Sequence, residues 1–179
     1  MKKTLLSLAV SALSLASLPV FGDTYQFSND TTFLPLFNRP TADGSALSDV
    51  GTAVHYHVEN FTVSQTGTYS LSAVAGDPGS FDTFIHLYSL FNPALPLSGF
   101  IAGNDDAFAN ADLGSALNNI TLTAGNNYAF VITGFGNSDF GGFTASIVGP
   151  GSIAPVPEPS FYALLGCGAA GLLIAGRRR

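Results

Sequence analysis

Two kinds of side chain in this sequence have the chemistry of a site: clustered oxygen ligands and closely spaced histidines. The oxygen ligands are Asp82 and the consecutive residues Asn104, Asp105 and Asp106. Ca²⁺ binds about six to eight hard oxygens, so a cation can link the two segments if they lie side by side. The alternative is that these residues cap turns through Asx hydrogen bonds. The spacing does not match an EF-hand loop, so the calcium hypothesis depends on residue types alone.

His55 and His57 are two residues apart, so both side chains point to one face of a β-strand. Two imidazoles on one strand hold a metal only with a third ligand. We therefore expect both histidines to face solvent, and His86 to lie on an outer face as well. The apolar residues that alternate with the pair are expected to face the core: Val54, Tyr56 and Val58.

No local motif marks a catalytic centre. The sequence has no Gly-x-Ser-x-Gly elbow, no His-Glu-x-x-His, no Walker loop and no dinucleotide fingerprint. A Ser-His-Asp triad assembled from distant residues stays open, because serines and aspartates are numerous. The single cysteine, Cys167, lies in an apolar tail, so the preceding body has no disulfide and no thiol nucleophile. We predict no catalytic residue, no enzymatic activity and no required cofactor.

Charge is distributed very unevenly along the chain. Between Asp23 and Glu158 there are twelve acids and one base, Arg39, which gives this stretch a formal charge of −11. A body this acidic is repelled by phosphate backbones, which argues against a nucleic-acid partner. It suits cations, polyols or plain solubility.

The amino terminus has the three parts of a secretory signal peptide. Lys2 and Lys3 precede an apolar run from Leu5 to Leu15, and Val20-Phe21-Gly22 offers a cleavage site after Gly22. We therefore predict a signal peptide over residues 1–22. A second site at Ser14-Leu15-Ala16 and an uncleaved anchor are the alternatives.

From residue 23 to 149 the chain alternates apolar and polar residues in short runs separated by turns. Examples are Tyr69-Leu71-Ala73, Tyr128-Phe130-Ile132 and Phe143-Ala145-Ile147. Period-two runs with a turn every ~8–15 residues are typical of an antiparallel β-sandwich. The predicted fold class is all-β, with a jelly-roll-like sandwich. Tyr56, Tyr88 and Phe100 can form a platform for sugars, although core or edge packing is the alternative.

The last thirty residues predict a linker and a membrane segment. Residues 150–159 are rich in proline, a composition expected to leave the sheet as a semi-rigid linker. Residues 160–176 form an apolar run predicted to span the membrane, although the sixteen residues from Phe161 to Gly176 would cover, as a helix, only about 24 Å of a ~30 Å hydrocarbon core. Residues 177–179 are arginines, expected to stay in the cytoplasm.

The end of the chain resembles the PEP-CTERM sorting signals of Gram-negative bacteria. The resemblance is carried by the Pro-Glu-Pro element, the short apolar run and the terminal arginines: Val156, Pro157, Glu158, Pro159, Arg177, Arg178 and Arg179. It implies recognition by an exosortase, an integral-membrane protease that removes the helix. It also implies a tethered precursor at the inner membrane, followed by delivery to the cell surface or extracellular matrix. A permanent tail anchor is the alternative.

The body resembles bacterial pre-peptidase C-terminal domains. The resemblance is carried by Asp82-Thr83-Phe84, by Asn104-Asp105-Asp106, and by the stretch from Phe61 to Tyr69, which fits the opening hairpin of that family. It implies a non-catalytic β-sandwich. The first functional hypothesis is therefore a non-enzymatic surface or matrix protein associated with exopolysaccharide or biofilm. A Ca²⁺-dependent glycan- or protein-binding module and a small secreted hydrolase are the alternatives.

Overall fold

A computed structural model describes residues 22–77, 79–107 and 113–157 of the chain. The predicted signal peptide, membrane segment and terminal arginines lie outside these residues. Within the described ranges, no helix is long and apolar enough to cross a membrane. The described residues form ten β-strands in two antiparallel sheets. The prediction of an all-β antiparallel sandwich is confirmed.

The strands follow the alternating runs of the sequence closely. Their bounds are β1 Asp23–Asp30, β2 Leu36–Phe37, β3 Val54–Val63, β4 Gly67–Ala75, β5 Thr83–Tyr88, β6 Phe100–Asn104, β7 Ser115–Leu122, β8 Asn127–Gly134, β9 Gly142–Gly149 and β10 Ile153–Pro155. One sheet has the order β1-β9-β4-β7. The other has the order β10-β3-β8-β5-β6. In this sheet, β2 pairs with the first two residues of β3, Val54 and His55.

The main core fills the space between the two sheets. Strand β8 shows the pattern: Phe130 and Ile132 point inward and are completely buried. Opposite them, Phe143 and Ile147 of β9 point inward from the four-stranded sheet. Burying side chains of this size stabilises the fold by about 1.5–3 kcal/mol each.

The six-stranded sheet is apolar on its outer face as well. All six residues of β5 are buried, as are Ala129 and Val131, which point outward from β8. A second cluster forms there, made of Phe37, Val54, Tyr88, Ala129 and Val131, with Tyr56, Val58, Phe91 and Phe100 packed against it. Loops before β3 and around β6 supply the covering side chains.

This second cluster overturns the expected orientation of β3. Val54, Tyr56 and Val58 face the outer cluster, whereas His57 points between the sheets. The ring of His57 lies 5.9 Å from Phe27 and 5.5 Å from Phe143, which belong to the opposite sheet. The prediction failed because both faces of β3 are covered, so the apolar set of the strand does not identify its inner face.

The predicted hairpin between Phe61 and Tyr69 is also wrong. The two halves belong to different sheets, because β3 pairs with β8 and β4 pairs with β7 and β9. The turn between them crosses from one layer to the other, and the hydroxyl of Tyr69 donates to the carbonyl of Gln65 at 2.8 Å. Alternation identifies inward residues but does not say which strand pairs with which.

Part of the predicted linker belongs to the sheet. Strand β10 pairs with β3, with Ile153 opposite Val63, and Ile153 is buried in the main core. The backbone N–H of Val156 then donates to the carbonyl of Asn60 at 2.7 Å. The expectation that this composition leaves the sheet is therefore wrong for residues 153–155. Prolines are tolerated here because an edge strand pairs on one side only.

This arrangement predicts that β10 stabilises the domain. In a protein of residues 22–157, Ile153→Ala should lower the free energy of unfolding by about 2 kcal/mol, because it leaves a cavity at the edge of the core. Urea unfolding measures the change. Ala154→Ser is the control, since residue 154 is exposed and surface changes stay within about 0.5 kcal/mol. Equal midpoints for all three proteins would mean that β10 is not docked.

Candidate functional site

An open groove lies on the outer face of the six-stranded sheet, between β3 and the end of the described chain. Its volume is about 620 Å³. It is lined by Leu34, Pro35, Tyr56, His57, Val58, Asn60, Leu90, Phe91, Pro93, Asn127, Val156 and Pro157. Among these described lining residues there is no aspartate, glutamate, lysine or arginine, in a body that is otherwise strongly acidic.

Aromatic rings form the floor of the groove. Tyr56 and Phe91 are half-buried, and their ring centres lie 5.2 Å apart at an angle of 69°. Phe37, buried beneath them, lies 5.0 Å from Tyr56 and 5.4 Å from Phe91. Such edge-to-face packing holds each ring in one orientation. Tyr88, by contrast, is completely buried, so it is not available to stack on a sugar.

Two amides lie beside the aromatic floor. Asn60 follows Tyr56 and Val58 on the same face of β3, and Asn127 begins the neighbouring strand β8. Asn127 pairs with Thr62, which places the two amide residues close together on adjacent strands. Amides donate and accept hydrogen bonds without carrying charge. The groove therefore combines an apolar floor with neutral polar groups at one end.

The predicted oxygen ligands lie at the far end of the same sheet. Ile85 of β5 pairs with Asn104 of β6, which brings Asp82 close to Asp105 and Asp106. Burial, together with the neighbouring carboxylates of Asp139, Asp105 and Asp106, raises the pKa of Asp82 to about 6, while Arg39 opposes the shift. Asp82 Oδ1 is buried and has no hydrogen-bond partner among the described residues. The structure thus brings the predicted carboxylates into one electrostatic cluster and adds Asp139.

Asn104 has a structural role within this cluster. Its Nδ2 donates to the carbonyls of Asp106 and Ala116, both at 2.7 Å, and its Oδ1 accepts weakly from the Asp106 N–H at 3.4 Å. These are the Asx-type bonds of the alternative interpretation. In the described part of the chain, no group of three or more histidine, cysteine, aspartate or glutamate side chains is arranged to hold a metal ion.

Arg39 is the cation nearest to the acids, and sequence reasoning gave it no role. Arg39 is 3% exposed as a residue, and its guanidinium carbon lies 3.9 Å from the centre of the Phe84 ring. Nε and Nη2 both donate to the carbonyl of Phe135, at 3.0 and 2.6 Å, and Nη1 donates to the carbonyl of Pro40. Burial lowers its pKa, while Asp105 and Asp82 oppose that shift. The sequence signal that could have identified Arg39 is that it is the only basic residue between Asp23 and Glu158.

Each of the three histidines makes a structural contact. His55 Nδ1 is bonded to the carbonyl of Leu34, and His57 lies between Asn29, at 3.2 Å, and Glu59, at 3.5 Å. His86 is completely buried and its Nε2 lies 3.3 Å from the carbonyl of Pro40. His86 does point to the outer face of its sheet, as expected, but loops cover it.

The acidic cluster predicts a specific dependence of stability on pH. The pKa of Asp82 rises from an ordinary value of 3.8 to about 6 on folding. Its contribution to stability is therefore complete below pH 3.8 and is lost as the pH rises towards 6. Asp82→Asn removes the ionisable group, so it should stabilise the protein at pH 7 by about 1 kcal/mol after allowance for solvent screening.

Urea unfolding at pH 7 and at pH 4 measures this effect, and the pH 4 comparison serves as the control. There the gain from Asp82→Asn should largely disappear, because the wild-type carboxyl is itself largely protonated. A variant that is less stable than the wild type at pH 7 would contradict the assignment and indicate that the ionised carboxylate is stabilised.

The sorting signal meets the groove. Of its predicted residues, Val156 and Pro157 line the groove, whereas Glu158, Pro159 and the three terminal arginines lie outside the described residues. No curated protein matches this chain. Residues 155–179 match the family model of the PEP-CTERM protein-sorting motif. The chain therefore carries a PEP-CTERM sorting motif, and it is an exported protein that is processed at the membrane by an exosortase.

Proposed function

We propose that the processed domain is a non-enzymatic protein of the cell surface or extracellular matrix that associates with exopolysaccharide through the groove. The observation that carries this proposal is the composition of the groove: an aromatic floor at Tyr56 and Phe91 beside the amides of Asn60 and Asn127. The sorting motif supports it, because the motif delivers the domain to the compartment in which such polymers are found.

The chemistry of a sugar polymer fits these groups. A pyranose ring has a face of C–H groups that packs on an aromatic ring, and hydroxyl groups at its edge that bond to amides. Ligand grooves are commonly about 300–1,000 Å³ in volume and apolar, with a few polar groups that fix orientation. The groove has this size and is open to solvent. The absence of charge among its described lining residues favours a neutral section of polymer.

The non-enzymatic part of the proposal is supported by the contacts that the three histidines make within the fold. Histidine is the commonest general base in proteins. This chain has three histidines: His55, His57 and His86. In this chain they contact backbone carbonyls, an asparagine and a glutamate, which orients the rings for packing. His86 is further held neutral, because burial lowers its pKa to about 3.

A Ca²⁺-dependent role is the second candidate, and one observation favours it. Asp82 Oδ1 is buried beside Asp105, Asp106 and Asp139 without a hydrogen-bond donor among the described residues. A cation would relieve the repulsion that raises the pKa of Asp82. Carboxylate oxygens are the ligands that Ca²⁺ prefers. Such an ion would fasten the start of β5 to the loop after β6 and stiffen the end of the sheet.

The polymer proposal predicts saturable binding of residues 22–157 to exopolysaccharide isolated from the producing cells. Phe91→Ala should weaken this binding by roughly tenfold, since truncating a central aromatic costs about 1.4 kcal/mol or more. Isothermal titration calorimetry or polymer co-sedimentation measures the affinity. The measurement is made with and without Ca²⁺.

Val74→Ala is the matched control, because Val74 is an exposed apolar residue on β4 of the other sheet. It should bind like the wild type. Equal affinities of the Phe91 and Val74 variants would remove the groove from the proposal. No binding by the wild type under either condition would leave only a structural role for the domain.

The calcium candidate predicts that millimolar Ca²⁺ raises the melting temperature of residues 22–157, as expected for a ligand that binds only the folded state. Asp105→Ala should abolish the rise. Asp23→Ala, which removes an exposed carboxylate from β1 in the other sheet, should preserve it. Identical melting temperatures with Ca²⁺ and with a chelator would rule out this candidate.

A further inference from the structure

We propose that the apolar surface around the end of the described chain rests on the lipid bilayer while the precursor is tethered by its sorting tag. This exit surface consists of Leu34, Leu90, Phe91, Pro93, Val156 and Pro157, which line one groove. The inference goes beyond polymer binding. It rests on the same sorting motif as the proposed function, and on the predicted tethering of the precursor before exosortase acts.

The described chain leaves the folded domain directly after Val156. The N–H of Val156 is hydrogen-bonded to Asn60 of β3, so the chain is held on the sandwich up to that residue. The apolar run predicted to span the membrane starts at Phe161 or just before it. Four peptide units separate Pro157 from Phe161, and at full extension they reach about 14 Å.

This reach is short compared with the width of the domain and the thickness of the membrane. A globular domain of this length has a radius of gyration of about 14 Å and is therefore roughly 35 Å across. The headgroup layer on each side of the hydrocarbon core is about 5–8 Å thick. About half of the reach is thus used within the headgroups. The apolar run is also short for a bilayer, which draws the connecting residues further in. The chain end at Pro157, and with it the exit surface, is therefore held close to the bilayer.

The exit surface exposes large apolar side chains. Leu90 is 76% exposed, and Phe33, next to Leu34 in the chain, is 93% exposed. Large apolar side chains exposed together on a soluble domain mark an interaction site. The position of Leu90 and Leu34 beside Val156 identifies the bilayer as the partner within reach.

The distribution of charge also favours this face of the domain. The stretch from Asp23 to Glu158 carries a formal charge of −11, so most of its surface is repelled by anionic lipids. The described residues that line the groove include no aspartate or glutamate. The exit surface is therefore a face that approaches a membrane without this repulsion. Shallow insertion of apolar side chains between headgroups is the usual mode of such contacts.

The test uses the absence of tryptophan from the chain. Leu90→Trp places a single fluorophore on the exit surface of the unprocessed, tethered protein. The protein is reconstituted in phosphatidylcholine vesicles whose lipids are brominated near the top of the acyl chains. The fluorescence should shift to the blue and be quenched, relative to vesicles of unbrominated lipid.

Two further single-tryptophan proteins complete the experiment. Val74→Trp lies on an outward-facing position of β4 in the opposite sheet and should show neither effect. Leu172→Trp lies in the predicted membrane segment and reports insertion of the tag. Quenching of Leu90→Trp and Leu172→Trp, but not of Val74→Trp, supports the proposal.

Quenching of Leu172→Trp alone overturns the proposal, because the domain is then tethered without resting on the lipid. A loss of quenching at Leu172→Trp overturns it as well, because the tether on which the geometry depends is missing. Equal quenching at Leu90→Trp and Val74→Trp shows unspecific adsorption and rejects a defined docking surface. None of these outcomes depends on whether the processed domain binds exopolysaccharide.

Discussion

The structure depends on one constraint: the six-stranded sheet is apolar on both of its faces. Its inner face is covered by the second sheet, as in any sandwich, but the outer side chains of β5 and β8 also need cover. Phe37 of β2, Phe100 of β6 and Phe91 of the loop between β5 and β6 supply it by packing over Val131 and Tyr88. The groove lies where this cover ends, so the candidate binding site is a consequence of incomplete coverage of an apolar sheet.

Arg39 fastens the cover to the sheet. Its guanidinium stacks on Phe84 of β5 and donates two hydrogen bonds to the carbonyl of Phe135, which follows β8. Its backbone N–H donates to Gly51, where any side chain would overlap the arginine. The planar, five-donor fork of arginine permits stacking and bonding together, which lysine cannot match. The nearby carboxylates of Asp82 and Asp105 keep the charged form favourable in spite of burial.

The sequence predicted the strands well and their partners poorly. Alternation located the inward residues of β8 and β9 correctly, because hydrophobic burial acts residue by residue. It misplaced His57, because β3 is covered on both faces and its period-two pattern has no unique inner side. It did not identify Arg39 or the groove, since both depend on loops that carry no periodic signal. It grouped Asp82 with Asp105 on residue type alone, and Asn104 then proved to be bonded within its own turn.

The sorting motif and the groove are parts of one surface, and this changes how delivery and function relate. Val156 and Pro157 begin the tag and also form a wall of the groove. Because Val156 is held on β3, the matched motif begins directly beside the folded sandwich. A groove held against the bilayer, as we propose for the precursor, would be closed to a polymer chain, and the same groove would be open once the tag is cut. Under these two proposals, cleavage of the tag would uncover the binding surface of the domain without any change of fold.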